Sequence, residues 1–248
     1  MNILCVIPAR YASTRLPGKP LIMLAGKPMI QHVYEQAKKA VRPKQVIVAT
    51  DHELVKQAVD AFGGNVIMTS PDHATGTDRL AEVASHYDNI DIVINVQGDE
   101  PLIAPEVIDQ LAAVFDDASP DVVMATLMTN MDENEYNNPA AVKVVTDLNG
   151  HALYFSRSMI PFPRNKHKGL AVYKHIGVYA YRRDFLLHYA ALPTTPLEQA
   201  ESLEQLRVLE HGYKIKVLKT DFKSVGVDTP EDAQIVNEIL IRDGGLSK

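Results

Sequence analysis

The stretch "ILCVIPARYASTRLPGKP", residues 3–20, changes character at Pro8. Residues 3–7 form a continuous apolar run with β-branched Ile3, Val6 and Ile7, so they read as a strand covered on both faces. The residues that follow carry Arg10, Arg15 and Lys19 without one carboxylate, in a chain whose formal net charge is −6. A helical pattern begins only near Pro28, about eighteen residues later, where αβ connections usually take about 2–6. In a parallel sheet this loop lies at the carboxyl end of its strand, which is where such folds bind ligands.

Outward from that stretch the same alternation recurs. Short β-rich runs at 45–50, 65–68, 91–96 and 122–127 are separated by apolar stripes of helical period at 28–40, 52–62, 78–87 and 105–115. In the first of these stripes Met29, Ile30, Val33, Tyr34 and Ala37 fall on one face. This pattern predicts an α/β fold, a Rossmann-like doubly wound and mostly parallel sheet. The middle differs: "VKVVT" (142–146), "HALYF" (151–155, after the Asn149-Gly150 turn) and "AVYKHIGVYAYR" (171–182) bring strands together with little helix between them. An antiparallel insertion over about 130–182 is expected, covering the site, forming a dimer surface, or both. The C-terminal part predicts a helix over 196–211, a strand in "YKIKVLK" (213–219), a short strand in "KSVGV" (223–227) and a last helix opened by "DTPED" (228–232). There Thr229 caps, Pro230 takes the first helical position and Asp232 completes a capping box. No repeat, low-complexity segment or linker interrupts the chain, so one domain over 1–248 is expected.

Composition removes several function classes. With 248 residues, 46% of them hydrophobic, the chain can bury a large core. Its acidic balance offers no footprint for a nucleic acid polymer and no basic face for a membrane, so the partner of the cationic loop is small. Cys5 is the only cysteine, which excludes an intrachain disulfide and a thiolate metal cluster and fits a reducing compartment. "ILCVI" is too short for a secretory signal, and no run approaches the roughly eighteen apolar residues of a membrane span. The expected location is cytoplasmic.

Three segments carry the chemistry. In the cationic loop, Arg10, Arg15 and Lys19 can hold phosphate oxygens while Gly18, Ala12 and Ser13 let backbone N–H groups approach, which together suggest a triphosphate cradle. It is not a Walker A loop, since Ser13 stands where the first glycine belongs and Pro20 where a magnesium-binding hydroxyl belongs. A solvated basic loop is the competing reading. In "INVQGDEP" (94–101) a buried strand runs straight into acids, and Asp99 is a hard oxygen donor suited to Mg²⁺. Gly98 would let a nucleotide come close, although Asp99 could equally serve as a turn or helix cap. Asp228 in "VGVDTPED" (225–232) again follows an apolar run, and there capping by Asp228 or Thr229 competes evenly with metal binding.

"IPARYASTRLPGKPL", "TSPDHATGTDRLAEV", "VINVQGDEPLI", "LYFSRSMIPF", "KHIGVYAY", "LEQLRVLE" and "VGVDTPED" occur in that order, and the chain resembles the CMP-Kdo synthetases, the 3-deoxy-manno-octulosonate cytidylyltransferases of bacteria with lipopolysaccharide. The resemblance spans nearly the whole chain. It implies a nucleotide-diphospho-sugar transferase type of fold and the reaction CTP + Kdo → CMP-Kdo + pyrophosphate, with Mg²⁺ as cofactor and a homodimer as the assembly. It implies further that Arg10, Arg15 and Lys19 bind phosphates and that Asp99 and Asp228 share the metal. The nucleobase contacts fall to the Ala9 region and to Gly76, Thr77 and Arg79 of "HATGTDR". Arg157 resembles the arginine on the sugar carboxylate, and His175, Tyr181, Glu204 and Gln205 lie in segments that contribute to sugar binding. His175 as an ordinary hydrogen-bonded histidine and Glu204 on a solvated helix face are the competing readings.

Rival functions differ in what they consume. A nucleotide-sugar glycosyltransferase using Asp99 would release no pyrophosphate from CTP, and an inert nucleotide-binding protein would bind CTP without turnover. A dehydrogenase is disfavoured because no G-x-G-x-x-G follows the first strand.

Overall fold

The computed structural model of the chain describes residues 1–12, 16–165 and 171–245. β1 (Ile3–Pro8) leads through a 3-10 turn at Lys19–Leu21 and a small hairpin, β2 (Met23–Leu24) and β3 (Lys27–Pro28), into α1 (Met29–Ala37). The residues of α1 that are buried are the predicted stripe: Met29, Ile30, Val33, Tyr34 and Ala37. Strand and helix then alternate through β4 (Gln45–Thr50), α2 (Glu53–Ala61), β5 (Val66–Met68), α3 (Gly76–Ser85), β6 (Ile92–Asn95) and α4 (Pro105–Ala113). Local signals set these starts: Thr75 and Asp78 close a capping box on α3, and Pro105 occupies the first turn of α4. β7 (Val122–Asn130), β8 (Lys143–Thr146), β9 (Ala152–Ser156) and β10 (Tyr173–Arg182) follow, then α5 (Arg183–Ala191), α6 (Pro196–Glu201), α7 (Gln205–Glu210), β11 (Lys214–Lys219) and α8 (Pro230–Gly245).

The main sheet runs β11-β7-β10-β6-β1-β4-β5. β1 pairs in parallel with both β4 and β6, and β4 with β5, while β10 is antiparallel to both β6 and β7. β8 joins β10 and β9 in an antiparallel side branch, which is the insertion the sequence predicts. Because the chain leaves β1 toward β4 and later returns on β1's other side as β6, a crevice opens at their carboxyl ends, where a ligand fits. Two apolar cores cover the sheet. One gathers Ile3, Cys5 and Ile7 with Ile30 and Val33 of α1; the other gathers Leu4 and Val6 with Leu80 of α3 and Leu186 of α5. Alternate β1 residues thus point into different cores, which explains why its sequence is apolar without alternation. Among the described residues no helix is long and apolar enough to cross a membrane.

Three segments differ from expectation. Residues 223–227 are not a strand; they form an extended tether joined by backbone hydrogen bonding from Val227 N–H to the Asp99 carbonyl, 2.9 Å. The helix expected over 196–211 is two, because Ser202 takes a left-handed conformation (φ 51°) that ends α6. Helix α5 has no counterpart in the sequence reading, since "RDFLLHYAA" follows β10 without a break residue.

The break between α6 and α7 is held by a buried ion pair. Arg207 Nε donates to Glu198 Oε2 at 2.8 Å and its Nη2 to Glu198 Oε1, and both side chains are less than a tenth exposed. Truncating one partner leaves the other charge buried alone, which costs about 3–5 kcal/mol. Urea unfolding of Glu198→Ala is therefore expected to show a stability loss of about that size.

Candidate functional site

The crevice is built from four connections. Val96 N–H donates to the Val6 carbonyl at 3.1 Å, bringing the segment after β6 against the end of β1. Gly98 continues the approach: a Cβ there would stand 2.6 Å from the Pro8 carbonyl oxygen, so a side chain would push the two segments apart. The glycine thus serves a chain-to-chain contact and also lines the first cavity. Asp99 follows directly. On the β1 side, Gly18 adopts φ 67° and starts the Lys19–Leu21 turn, which aims the Lys19 ammonium into the crevice. The tether ending at Val227 delivers Asp228 to the same point. Thr229 and Asp232 cap α8, with Asp232 N–H donating to Thr229 Oγ1 (3.2 Å) and Thr229 N–H to Asp232 Oδ2 (2.9 Å).

At the centre, Lys19 Nζ donates to Asp99 Oδ2 at 2.6 Å and to Asp228 Oδ1 at 2.9 Å. Burial pulls the Lys19 pKa down, and the two carboxylates more than offset this and hold it above the ordinary lysine value. Two acids separated by 129 positions in sequence thus converge on a single cation.

Two cavities meet at this pair. One, about 460 Å³, is lined by Ala9, Arg10, Ala12, Lys19 and Gly98; the other, about 530 Å³, by Arg157, His175, Tyr181, Glu204 and Gln205. Gly76, Gln97, Asp99 and Asp228 belong to both. The first cavity carries two cationic side chains, Arg10 and Lys19. The second carries unmet acceptors: among the described residues, Glu100 Oε2 and Glu204 Oε1 are buried without a partner. A ligand that brings hydrogen-bond donors, such as a polyol, suits it.

Within the second cavity each wall residue is held by its neighbours. Arg157 Nε donates to the Glu201 carbonyl (2.7 Å), Nη1 to Pro139 (3.0 Å) and Nη2 to Ser202 (3.3 Å), which fixes the guanidinium and leaves one N–H on each Nη. His175 lies 3.0 Å from the Thr126 hydroxyl and packs between the Phe155 and Tyr179 rings; burial pushes its pKa down to about 3, so it is neutral. Tyr181 is 2% exposed at the cavity floor. Glu204 accepts from Thr77 Oγ1 at 3.0 Å, and burial raises its pKa against the pull of the Thr75 and Thr77 hydroxyls. It is not on a solvated face. Glu100 is pushed up to about 7 by burial, with the Asp99 charge adding and Ser224, Lys174 and Lys19 opposing.

Among the described residues one predicted residue, Arg79, is not brought here. Arg15 and its neighbour Ser13 lie outside the described residues. Arg79 lines neither cavity: it is fully buried, with Nη2 donating to Asp51 Oδ2 at 2.8 Å and Nη1 to Thr69. Its charge braces α3 against the end of β4 instead of reading a base. Conversely, Gln97, Lys174 and Tyr179 line the second cavity without having been singled out. Gln97 was legible as the residue just before Gly98, and Tyr179 as the residue between His175 and Tyr181 on one face of β10.

Comparison with known proteins narrows the reading. The family model described as cytidylyltransferase matches residues 4–215. A 3-deoxy-manno-octulosonate cytidylyltransferase of Geobacter metallireducens is 55% identical over 254 residues, covering 98% of this chain and 99% of the relative. Another, of Acaryochloris marina, is 50% identical and covers 100% of both chains. Among solved structures, a CMP:2-keto-3-deoxy-manno-octonic acid synthetase complexed with CTP aligns with a TM-score of 0.93 and 48% identity, covering 98% of this chain and 100% of that one.

Two outcomes are expected. Asp51→Ala strands the Arg79 charge and should lower the urea-unfolding free energy by about 3–5 kcal/mol. His175, whose folded pKa lies below its ordinary 6.5, contributes stability that is full above pH 6.5 and lost as pH falls toward 3. The urea midpoint of His175→Gln should accordingly fall less steeply than that of the parent between pH 6.5 and 4.

Proposed function

Because this chain belongs to the cytidylyltransferase family, and within it to the 3-deoxy-manno-octulosonate cytidylyltransferases, we propose that its two joined cavities transfer CMP from CTP to Kdo and release pyrophosphate, with Mg²⁺ held by Asp99 and Asp228. The observation that carries this reading is the shared boundary: both cavities are lined by these two aspartates, so a nucleotide in one and a sugar acid in the other meet there.

The donor set suits the ion. Two carboxylates already converge on one cation, the Lys19 ammonium, and Mg²⁺ takes one or two carboxylates and completes its octahedron with water and phosphate oxygens. When bound, the ion supplies positive charge at the α-phosphate and acidifies the attacking hydroxyl. Arg10 and Lys19 lie in the nucleotide cavity, where they hold the triphosphate and stabilise the charge that grows on departing pyrophosphate. Arg15, from the same loop, joins them in this reading. The backbone around Ala9, together with Gly76, contacts the nucleoside, whereas Thr77, expected there from the sequence, lines only the second cavity with its hydroxyl on Glu204. In the sugar cavity, the two N–H groups left on the Arg157 Nη atoms take the sugar carboxylate. Glu204, with an unmet acceptor, and Gln205, Tyr181 and neutral His175 order the hydroxyls. The anomeric hydroxyl oxygen then attacks the α-phosphorus in line and loses its proton to solvent, the bond from that phosphorus to the α,β-bridging oxygen breaks, and pyrophosphate leaves.

The same reading takes residues 1–248 as a single nucleotidyltransferase domain, in which the excursion at about 130–182 walls the sugar cavity and offers the contact for a homodimer. Leu153, 62% exposed, and Phe162, 82% exposed, supply apolar surface on that excursion. Cys5, buried and with its thiol pKa pushed up to about 12 by burial, suits a cytoplasmic protein in a reducing environment.

Steady-state pyrophosphate release tests the assignment. Asp99→Asn and Asp228→Asn should each lower kcat on the order of a thousandfold, equivalent to about 4 kcal/mol, while unfolding stays cooperative. Arg157→Ala should raise the KM for the sugar acid and leave that for CTP little changed; near-parental turnover by both aspartate variants would overturn the metal assignment.

A further inference from the structure

Lys143, at the start of β8, is 0% exposed, and no step above uses it. Its ammonium donates to the Asn138 carbonyl at 2.7 Å and to the Arg157 carbonyl at 3.0 Å. In the sheet register Lys143 stands between Ser156 of β9 and Lys174 of β10, so two lysines sit directly opposite each other, a pairing that by itself disfavours the sheet. Carboxylates lie at the two ends of this row: Lys174 donates to Glu135 at 2.6 Å, and Ser156 Oγ donates to Glu201 at 2.6 Å. Burial pulls the Lys143 pKa down, with Glu135 and Glu201 opposing. If the position served packing alone, an unbranched apolar side chain would fill it without the desolvation cost of an ammonium.

What the ammonium does is join two parts of the cavity wall. Arg157 holds the Pro139 carbonyl and Lys143 holds the neighbouring Asn138 carbonyl, so consecutive carbonyls of one loop are taken by two cations, while Lys143 also grips the Arg157 backbone. The next residue of that loop, Ala140, lines the cavity beside Arg157.

We propose that Lys143 is a positioning residue for the sugar acid, tying the 138–140 loop to the Arg157 backbone so that the Arg157 guanidinium keeps its place on the cavity wall. This rests on the assignment of Arg157 to the sugar carboxylate. The test is a double-mutant cycle in the full-length protein with CTP and Kdo as substrates, using Lys143→Met, Arg157→Ala and the pair. Lys143→Met should raise the KM for Kdo by about tenfold, the equivalent of one or two lost hydrogen bonds, with the KM for CTP unchanged. In the Arg157→Ala background the same substitution should add little, because its effect passes through Arg157. Equal increases in both KM values, or an undiminished effect in the Arg157→Ala background, would overturn the proposal. If Arg157→Ala alone leaves the KM for Kdo unchanged, the fault lies in the underlying assignment. Should Lys143→Met fail to fold, Lys143→Gln, whose amide nitrogen is one bond too short to hold both the Asn138 and Arg157 carbonyls, replaces it and is read against the same criteria.

Discussion

Two carboxylates placed side by side repel each other. Here it is balanced by Lys19, whose ammonium lies within hydrogen-bond distance of both Asp99 and Asp228. The contact has demanding geometric conditions. Gly98 must stay without a side chain for the end of β6 to reach Pro8, Gly18 must hold a left-handed turn to aim Lys19, and the Val227 backbone must dock on Asp99. Each condition is set by a different part of the chain, so the cation site records that β1, β6 and the segment before α8 have all folded correctly against one another.

The environments on either side of that pair differ in kind. The first cavity carries the cationic Arg10 and Lys19, which in the proposed reading suit a polyanion. The second cavity is lined by a neutral His175, by Tyr179 and Tyr181, and by Glu100 and Glu204, both raised by burial, Glu100 to about 7. In the proposed reading these acids give the sugar wall a titratable component near neutral pH. Residues of β10 and of the loops around Ala140 and Arg157 line part of the second cavity, and the ends of β1 and β6 lead into the first.

Much of this was legible in the sequence because the signals were local. Continuous apolar runs marked β1 and β4, the stripe from Met29 to Ala37 marked α1, and Thr229 with Asp232 marked the start of α8. What escaped depended on contacts between distant residues. Arg79 looks in sequence like a ligand-binding arginine in a loop rich in glycine and threonine, and only the fold shows Asp51 waiting for it. Residues 223–227 have the composition of a strand, yet their hydrogen bonding goes to the Asp99 carbonyl rather than to a sheet edge. The break at Ser202 carries no glycine or proline, because capping at Thr195 and the Glu198–Arg207 pair dictate where α6 must stop. The convergence of Asp99 and Asp228 came from family resemblance, since spacing along a chain carries no such information.

The most direct test of the account is a crystal structure with CTP and Mn²⁺ in place of Mg²⁺, read by anomalous scattering. A manganese peak bonded to carboxylate oxygens of both Asp99 and Asp228 at roughly 2 Å is expected, with an α-phosphate oxygen beside it. A nucleotide bound in the cavity beside Arg10 with no manganese on either aspartate would contradict it.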